Sequence, residues 1–254
     1  MTLQITDFFS VDLTLKESDP AVIWPVLGTV VFFMIYWFIS QSARVRNWFY
    51  GRSDHDTAAV RHFLFAKILG FTLMGVIPLI ITLIILPDYS PADLGLTFRV
   101  ENPAISLAVA AVLLLLAVFS ARSAARKTKD LDHFPQIRAN VWTTNTALVN
   151  IAGWGLYLLG YEILFRGILL MPLADHLGVW PAIAVNIALY AAAHIPQGPR
   201  DAFGAIPVGL LFCLVTLASG TVFIAFAVHL SMALTNCFTS MKHHPDMSFR
   251  NKSD

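Results

Sequence analysis

The sequence predicts an all-α protein, a polytopic transmembrane helical bundle with about seven spans. Hydrophobic residues make up 57% of the 254-residue chain and charged residues only 13%, whereas about 25% of the residues in a soluble domain are charged. The hydrophobic residues also fall in blocks of about 20, the helical length that crosses a bilayer core. Helices are expected because lipid offers no partner to unpaired backbone groups.

Seven apolar blocks follow one another along the chain. Glycines at 153, 155 and 160 interrupt the fourth and longest block. The predicted spans are 22–40, 63–86, 105–119, 141–173, 180–195, 202–218 and 222–238. Element boundaries read from sequence are uncertain by a few residues, so these limits describe the apolar stretches and not the helix ends.

Lysine and arginine in short connections predict the orientation, because such loops stay mostly in the cytoplasm. The basic residues of the connections 41–62 and 121–140 are Arg44, Arg46, Arg52, Arg61, Arg122, Arg126, Lys127, Lys129 and Arg138. The first 20 residues and the connection 88–102 hold only Lys16 and Arg99. We therefore expect an extracytoplasmic N-terminal arm over 1–21, three transmembrane helices with basic cytoplasmic loops over 22–139, a four-helix core over 140–240, and a cytoplasmic tail over 241–254.

Several classes of function are disfavoured by composition. A net charge of +1, with basic residues explained by topology, argues against a nucleic-acid partner. Cys213 and Cys237 lie in predicted spans without metal-ligand spacing, so neither a disulfide framework nor a zinc site is indicated. The sequence thus predicts no metal and no cofactor.

Ionisable groups inside the spans are the most informative residues, because such groups are costly in a bilayer and usually functional. Lys67 lies near one end of the second span, where its stem could carry the ammonium back to the interface. Glu162 precedes Arg166 by one helical turn, which predicts an ion pair on one helix face. His194 and His229 lie in the fifth and seventh spans. A lone histidine could simply join two helices by a hydrogen bond.

One glutamate and two histidines from three spans can supply a general base, a water-activating pair or a metal site. Spacing along the chain does not distinguish these, since the groups lie on different helices. Proton relay in a transporter is a further use of such residues.

Three short motifs resemble those of the CAAX protease and bacteriocin-processing (CPBP/Abi) family of intramembrane endopeptidases. The stretch 161–167, Tyr-Glu-Ile-Leu-Phe-Arg-Gly, resembles the family motif Glu-Glu-x-x-x-Arg-Gly. The stretch Tyr190 to His194 resembles Phe-x-x-x-His, and His229 resembles the start of His-x-x-x-Asn. The resemblance covers about 140–240 and makes this segment a CPBP/Abi-like helical core.

The resemblance implies catalytic roles for Glu162, His194 and His229, with Tyr161, Arg166, Tyr190 and Asn236 in support. Two positions depart from the family pattern. Tyr161 stands where the first motif has the glutamate that activates water with the first histidine, and Ala233 stands where the third motif has its asparagine. One hypothesis is that Glu162 pairs with His194 to activate water while His229 and the Tyr161 hydroxyl stabilise the oxyanion. Asn236 lies on the His229 face but about 10 Å along the axis.

Three functions follow from the motifs and the intramembrane charges. The resemblance implies an endopeptidase that uses activated water to cut a membrane-associated peptide or protein, in contact with membrane lipid and in the bacterial cytoplasmic membrane. The second hypothesis is that the protein is an inactive relative that acts as a membrane binding or scaffold protein. The third is a small proton-coupled transporter, against which the absence of inverted repeats counts.

Overall fold

The computed structural model describes residues 14–127 and 134–250. Among these residues, seven helices are long and apolar enough to cross a membrane, which confirms the predicted all-α class and the number of spans. The spanning helices are α1 (Pro20–Ser40), α3 (His55–Ile85), α4 (Pro103–Lys127), α5 (Thr144–Leu177), α6 (Val179–His194), α7 (Pro199–Ser219) and α8 (Phe223–His243). A short helix, α2 (Ala43–Tyr50), follows α1. Residues 1–13 of the predicted arm, together with Lys129 and Lys252, lie outside the described residues.

Helix α5 is the centre of the bundle. In its most apolar stretch 83% of the residues are buried, against 17–39% in the other six spanning helices. A buried central helix can carry polar groups away from lipid, whereas the surrounding helices expose large apolar side chains on their outer faces. This arrangement explains why the motif residues of the fourth predicted span are shielded on all sides.

Several helices extend beyond the predicted apolar blocks. Helix α3 begins at His55, well before the predicted limit at 63, because the Asp54 carboxylate accepts a hydrogen bond from the Thr57 backbone N–H at 3.1 Å and caps the first turn. Helix α4 continues to Lys127 instead of ending near 119. Hydropathy marks only the part of a helix that lies in lipid. The prediction from sequence therefore left out the polar turns at the start of α3 and at the end of α4.

A short parallel strand pair corrects the predicted start of the fourth span. Strand β1 (Val141–Trp142) pairs with strand β2 (Ser248–Phe249), so residue 141 is extended and α5 begins only at Thr144. The Asp56 carboxylate accepts hydrogen bonds from the backbone N–H groups of Asn140 and Val141 at 2.8 and 2.9 Å. These bonds attach the segment before α5 to the start of α3.

Helices α3 and α5 cross at glycines. A Cβ atom on Gly160 would lie 2.8 Å from the Phe71 Cα, and one on Gly75 would lie 3.0 Å from the Gly160 Cα. The two backbones therefore approach more closely than side chains would allow, as small residues permit in membrane bundles. By contrast, a Cβ on Gly155 would meet nothing within 4 Å.

We expect Gly160→Ala to destabilise the protein by about 1–3 kcal/mol, the usual cost of forcing an extra group into a packed contact. The clash is with backbone atoms, which cannot rotate away. The matched control is Gly155→Ala on the same helix, which should be neutral or stabilising by up to about 1 kcal/mol because alanine favours helix more than glycine does. Thermal unfolding of both variants in detergent measures the difference. Equal melting temperatures would contradict the close crossing.

Candidate functional site

The three motifs meet between helices α5, α6 and α8. Tyr161, Glu162 and Arg166 lie at the middle of α5, where regular α-helix gives way to a π-helical stretch over Ile163–Leu170. Tyr190 and His194 lie in the last turns of α6. His229 lies in the first half of α8 and Asn236 in its second half. The fold therefore brings together residues that the sequence separates widely.

The Glu162 carboxylate is fully buried and has two partners. Its Oε1 atom lies 2.7 Å from His229 Nδ1, and its Oε2 atom lies 3.5 Å from Arg166 Nε. The predicted ion pair between Glu162 and Arg166 is thus confirmed. The hypothesis that Glu162 pairs with His194 is not supported, since the hydrogen-bonded imidazole is that of His229. Sequence spacing could not reveal this choice because the two histidines lie on different helices.

Arg166 is enclosed by protein as completely as its partner. The centre of its guanidinium lies 4.3 Å from the centroid of the Tyr190 ring and 5.3 Å from that of Phe212. Aromatic faces attract cations, so these rings stabilise the guanidinium while Glu162 balances its charge. Arg166 therefore holds the carboxylate in place and balances its charge.

Each of the two histidines of the site, His194 and His229, has its Nδ1 atom bonded to an acceptor. A carboxylate and a backbone carbonyl oxygen can only accept hydrogen bonds, so His229 Nδ1–H donates to Glu162, and His194 Nδ1–H donates to the Tyr190 carbonyl oxygen at 2.7 Å. In the neutral imidazole the other nitrogen, Nε2, then carries a lone pair. Both side chains line the same cavity. The site thus brings two imidazole rings, each oriented through its Nδ1 atom, to the wall of one cavity.

The Tyr161 ring contacts both histidines of the site. Its ring centroid is 6.3 Å from that of His194 and 5.9 Å from that of His229, and both contacts are edge to face. The ring also stacks on Phe165 at 4.5 Å. Although only 4% of the residue is exposed, it lines the cavity. Tyr161 therefore contacts both imidazoles, at the sequence position where the family motif has a glutamate.

Asn186 is a buried residue that sequence reasoning missed. Its side-chain N–H donates to the Phe165 carbonyl oxygen at 2.5 Å, and its side-chain oxygen accepts from the Cys213 thiol at 3.2 Å. Phe165 lies in the π-helical stretch, where the wider turn changes the backbone hydrogen bonds. Asn186 therefore fixes the part of α5 that carries Arg166. An asparagine in the middle of an apolar span was the available signal.

A cavity of about 820 Å³ lies in front of these residues. Tyr161, Tyr190, His194 and His229 are in its wall, and so are Ala233 and Asn236 of α8, whereas Glu162 is not. The cavity is also lined by the polar side chains Gln41, Gln136, Arg138, Gln197 and Arg200. Of these, Gln41, Gln136 and Arg138 belong to connections predicted to be cytoplasmic. The volume is in the range of cavities that bind drug-sized ligands.

Lys67 also lines this cavity, which corrects the expectation that its ammonium reaches the membrane interface. Only 2% of the residue is exposed. Its Nζ atom lies 3.4 Å from the centroid of the Trp154 ring and 4.1 Å from that of Tyr157. The aromatic rings of α5 hold the amino group inside the protein.

Within residues 14–127 and 134–250, no three histidine, cysteine, aspartate or glutamate side chains come close enough together to hold a metal ion. Glu162 and His229 are in contact, but His194 is bonded to a backbone carbonyl. The donor set at this position consists of one carboxylate and imidazoles, and the carboxylate is already neutralised by Arg166.

Comparison with known proteins agrees with the motifs. No curated protein and no solved structure matches the chain significantly. Residues 143–235 match the family described as type II CAAX prenyl endopeptidase Rce1-like. The match contains all three motifs, and it confirms the resemblance to CAAX proteases drawn from them. Residues 143–235 are thus similar to the Rce1-like CAAX prenyl endopeptidases, within a multi-pass membrane protein.

Proposed function

We propose that this protein hydrolyses a peptide bond in a lipid-modified, membrane-associated peptide, with His229 as the general base. The observation that carries the proposal is the 2.7 Å hydrogen bond between Glu162 and His229 at the wall of the cavity. A buried carboxylate that accepts from one imidazole nitrogen fixes the ring and leaves the other nitrogen basic, as in hydrolases that use a histidine base. The family match supports the reaction class.

The proposed reaction begins with a water molecule in the cavity. His229 Nε2 removes one proton from the water as its oxygen attacks the carbonyl carbon of the substrate, and the carbonyl electron pair moves onto the oxygen. The Tyr161 hydroxyl donates a hydrogen bond to that oxyanion. When the carbon–nitrogen bond breaks, the proton passes from His229 to the leaving nitrogen, which gives a carboxylic acid and an amine. Glu162 stabilises the imidazolium formed between these two steps.

His194 supplies the second lone pair of the site. Its Nδ1–H is bonded to the Tyr190 carbonyl oxygen, so its Nε2 can accept the other proton of the attacking water as a hydrogen bond. Both imidazoles lie about equally far from the Tyr161 ring, and both line the cavity that would hold the proposed water. In this proposal His194 positions the water and His229 takes the proton.

The departure at position 161 is accounted for by this arrangement. Without a glutamate there, a carboxylate does not act on the water directly, and Glu162 acts through His229 instead. A positioned general base contributes about 10² to 10⁴ in rate. The hydroxyl of Tyr161 replaces the missing asparagine at position 233 as a donor to the oxyanion. Removing one such donor from an enzyme lowers the rate by a factor of about 10² to 10³.

The test is cleavage of a fluorescein-labelled peptide that carries an S-farnesyl cysteine followed by three residues, using purified protein in detergent and water enriched in ¹⁸O. We expect mass spectrometry to find ¹⁸O in the new carboxyl group. Glu162→Gln should lower the rate by about 10² or more, because an amide can present its N–H to His229 and favour the wrong tautomer. A folded parent protein that leaves this peptide and unmodified membrane peptides intact would overturn the proposal.

A second candidate function is peptide binding without cleavage, and the packing of Tyr161 favours it. The ring stacks on Phe165 and contacts both imidazoles, so it fills space that a catalytic carboxylate would otherwise occupy. If this candidate is correct, the parent binds the farnesyl peptide and leaves it intact. The double variant Tyr161→Glu, Ala233→Asn should then gain cleavage from a background of none, and an already active parent would exclude the candidate.

A bacterial cytoplasmic membrane and a cytoplasmic opening of the cavity stay predictions from the motifs and the basic loops. Reporter fusions at the two ends of the chain test the orientation. We expect the N-terminus outside and the C-terminus inside. Two ends on the same side would contradict a topology with an odd number of spans.

A further inference from the structure

Helices α2 and α3 form a surface groove that is separate from the reaction cavity. Its volume is about 720 Å³, and it has no wall residue in common with the cavity that holds the two histidines. Its wall contains Arg44, Arg52 and Arg61 and, among the residues that the structure describes, no acidic side chain. One serine and six aliphatic or aromatic side chains complete the wall. The groove therefore combines positive charge with an apolar surface.

Aromatic contacts hold α2 against the first turns of α3 and so shape the groove. The ring centroid of Phe49, on α2, lies 5.5 Å from that of Phe65 and 5.6 Å from that of His62, both on α3. The Trp48 ring packs edge to face against Phe49 at 4.8 Å, although 53% of Trp48 is exposed. Exposed tryptophan beside arginine is typical of a membrane interface. A ligand at that interface would find this apolar surface already formed.

The arginines of the groove are held by neutral acceptors and not by carboxylates. Arg52 donates from Nη1 to the Trp48 carbonyl oxygen at 3.2 Å, and its guanidinium lies 4.4 Å from the centroid of the Trp48 ring. Arg61 donates from Nη1 to the Ser53 hydroxyl at 2.9 Å. Within residues 14–127 and 134–250, none of the three arginines of the groove forms an ion pair. A guanidinium has five N–H donors, so Arg52 and Arg61 are positioned and still have donors for an anion.

The charged and apolar parts of the groove follow one another along α3. Leu64, Phe65 and Ile68 come three, four and seven residues after Arg61, a spacing that puts all four on one face of the helix. In the predicted topology α3 enters the membrane from the cytoplasmic side, so Arg61 lies near the surface and Ile68 about 10 Å deeper. Ile68 is exposed. The groove thus has a cationic end at headgroup level and an apolar end at the level of the acyl chains.

We propose that this groove binds an anionic phospholipid, with its phosphate at Arg52 and Arg61 and an acyl chain along Leu64 and Ile68. Guanidinium groups bind phosphate oxygens through charge-assisted, often paired, hydrogen bonds. Basic residues at the cytoplasmic surface of a membrane attract anionic lipids. The bound lipid fastens α2 to the membrane surface beside the start of α3. This site is independent of the peptidase reaction proposed above.

An anionic phospholipid uses both parts of the groove, whereas other occupants use only one. A free phosphate ester would bind the arginines but leave the aromatic and aliphatic wall uncovered. A prenyl chain would cover that wall but brings no anion to the guanidinium groups. Phosphatidylcholine brings a phosphate together with a quaternary ammonium, which three nearby arginines repel. The order of charge and hydrocarbon in the groove matches a lipid with a net negative headgroup.

Native mass spectrometry of the full-length protein in detergent measures this binding directly. Protein freed of lipid is titrated with phosphatidylglycerol or with phosphatidylcholine of the same acyl chains, and the masses give the Kd of the first bound lipid. We expect phosphatidylglycerol to bind about 10- to 100-fold more tightly, the range for hydrogen bonds to a charged group. Arg61→Gln should lower the affinity for phosphatidylglycerol about 10-fold and leave that for phosphatidylcholine unchanged. Arg52→Gln should do the same, so the result does not depend on one variant.

Arg46→Gln is the matched control, because it removes the same charge from the same helix. Arg46 does not line the groove, and its guanidinium lies 5.7 Å from the centroid of the Tyr50 ring. The control should keep the preference of the parent for phosphatidylglycerol. If Arg46→Gln and Arg61→Gln weaken that preference equally, the basic segment attracts anionic lipid only in general and the proposal is wrong.

Two other outcomes would also overturn the lipid site. One is a parent that binds phosphatidylglycerol and phosphatidylcholine alike. The other is displacement of phosphatidylglycerol by an equal concentration of glycerophosphoglycerol, the same headgroup without acyl chains, since the groove would then bind free phosphate esters. The substituted arginines are exposed, so the melting temperatures of the variants should stay close to that of the parent.

Discussion

Arg166→Ala is expected to lose about 3–5 kcal/mol of stability, the usual cost of removing one partner of a buried ion pair. The substitution leaves the Glu162 carboxylate fully buried without its cation, so the carboxylate must either stay charged in an apolar surrounding or take up a proton. It also removes the guanidinium from between the rings of Tyr190 and Phe212. The measurement is the melting temperature of the purified protein in detergent, together with its amount in the membrane.

Two further variants separate the buried pair from a general effect of losing arginine. Arg44→Ala removes an exposed arginine from α2 and should leave the melting temperature almost unchanged, as surface substitutions usually do. Glu162→Gln keeps the size of the side chain and an oxygen that can accept a hydrogen bond from Arg166, so it should destabilise less than Arg166→Ala. If Arg166→Ala and Arg44→Ala accumulate and melt alike, the guanidinium does not stabilise the fold.

The seven spans could be predicted because a bilayer imposes one length on every helix that crosses it. The helix ends could not be predicted, since they depend on contacts that hydropathy does not measure. Helix α3 begins at a carboxylate cap provided by Asp54, and the segment before α5 is fixed by a strand from the opposite end of the chain. These are hydrogen bonds of polar residues outside the apolar blocks.

The candidate site was predictable where its contacts are local. Glu162 and Arg166 lie one helical turn apart, so their pairing follows from helix geometry. The partner of Glu162 on another helix does not follow from any spacing, because it depends on how α8 is rotated against α5. For the same reason the aromatic surroundings of Lys67 were missed, since Phe63 belongs to α3 while Trp154 and Tyr157 belong to α5.

The position of Glu162 changes the chemistry that the motifs suggest. The carboxylate is not in the cavity wall, whereas both histidines are. A group that does not reach the cavity cannot take a proton from water there, but it can orient and stabilise a group that does. In the proposed reaction, Glu162 therefore acts on the water through His229. The remaining test is which imidazole takes the proton.

We expect His229→Ala to lower the rate of peptide hydrolysis by about 10² to 10⁴, the contribution of a positioned general base. His194→Ala should cost less, because the proposal gives His194 only a hydrogen bond to the attacking water. Imidazole added to the buffer should restore part of the rate of His229→Ala, since the deletion leaves space beside the cavity for a free base. A purely structural role for His229 would show no such recovery. The rates come from the farnesyl-peptide assay, with folding checked by melting temperature.

The matched control is His243→Ala, which removes the same ring from the end of the same helix. His243 is bonded to the Thr239 carbonyl oxygen at 2.7 Å, and it does not line the cavity. Its removal should leave both the hydrolysis rate and the effect of imidazole unchanged. If His194→Ala abolishes hydrolysis and responds to imidazole while folded His229→Ala stays active, then His194 is the base. The hydrogen bond between Glu162 and His229 would in that case only stabilise the fold, and the proposed roles of the two histidines would be wrong.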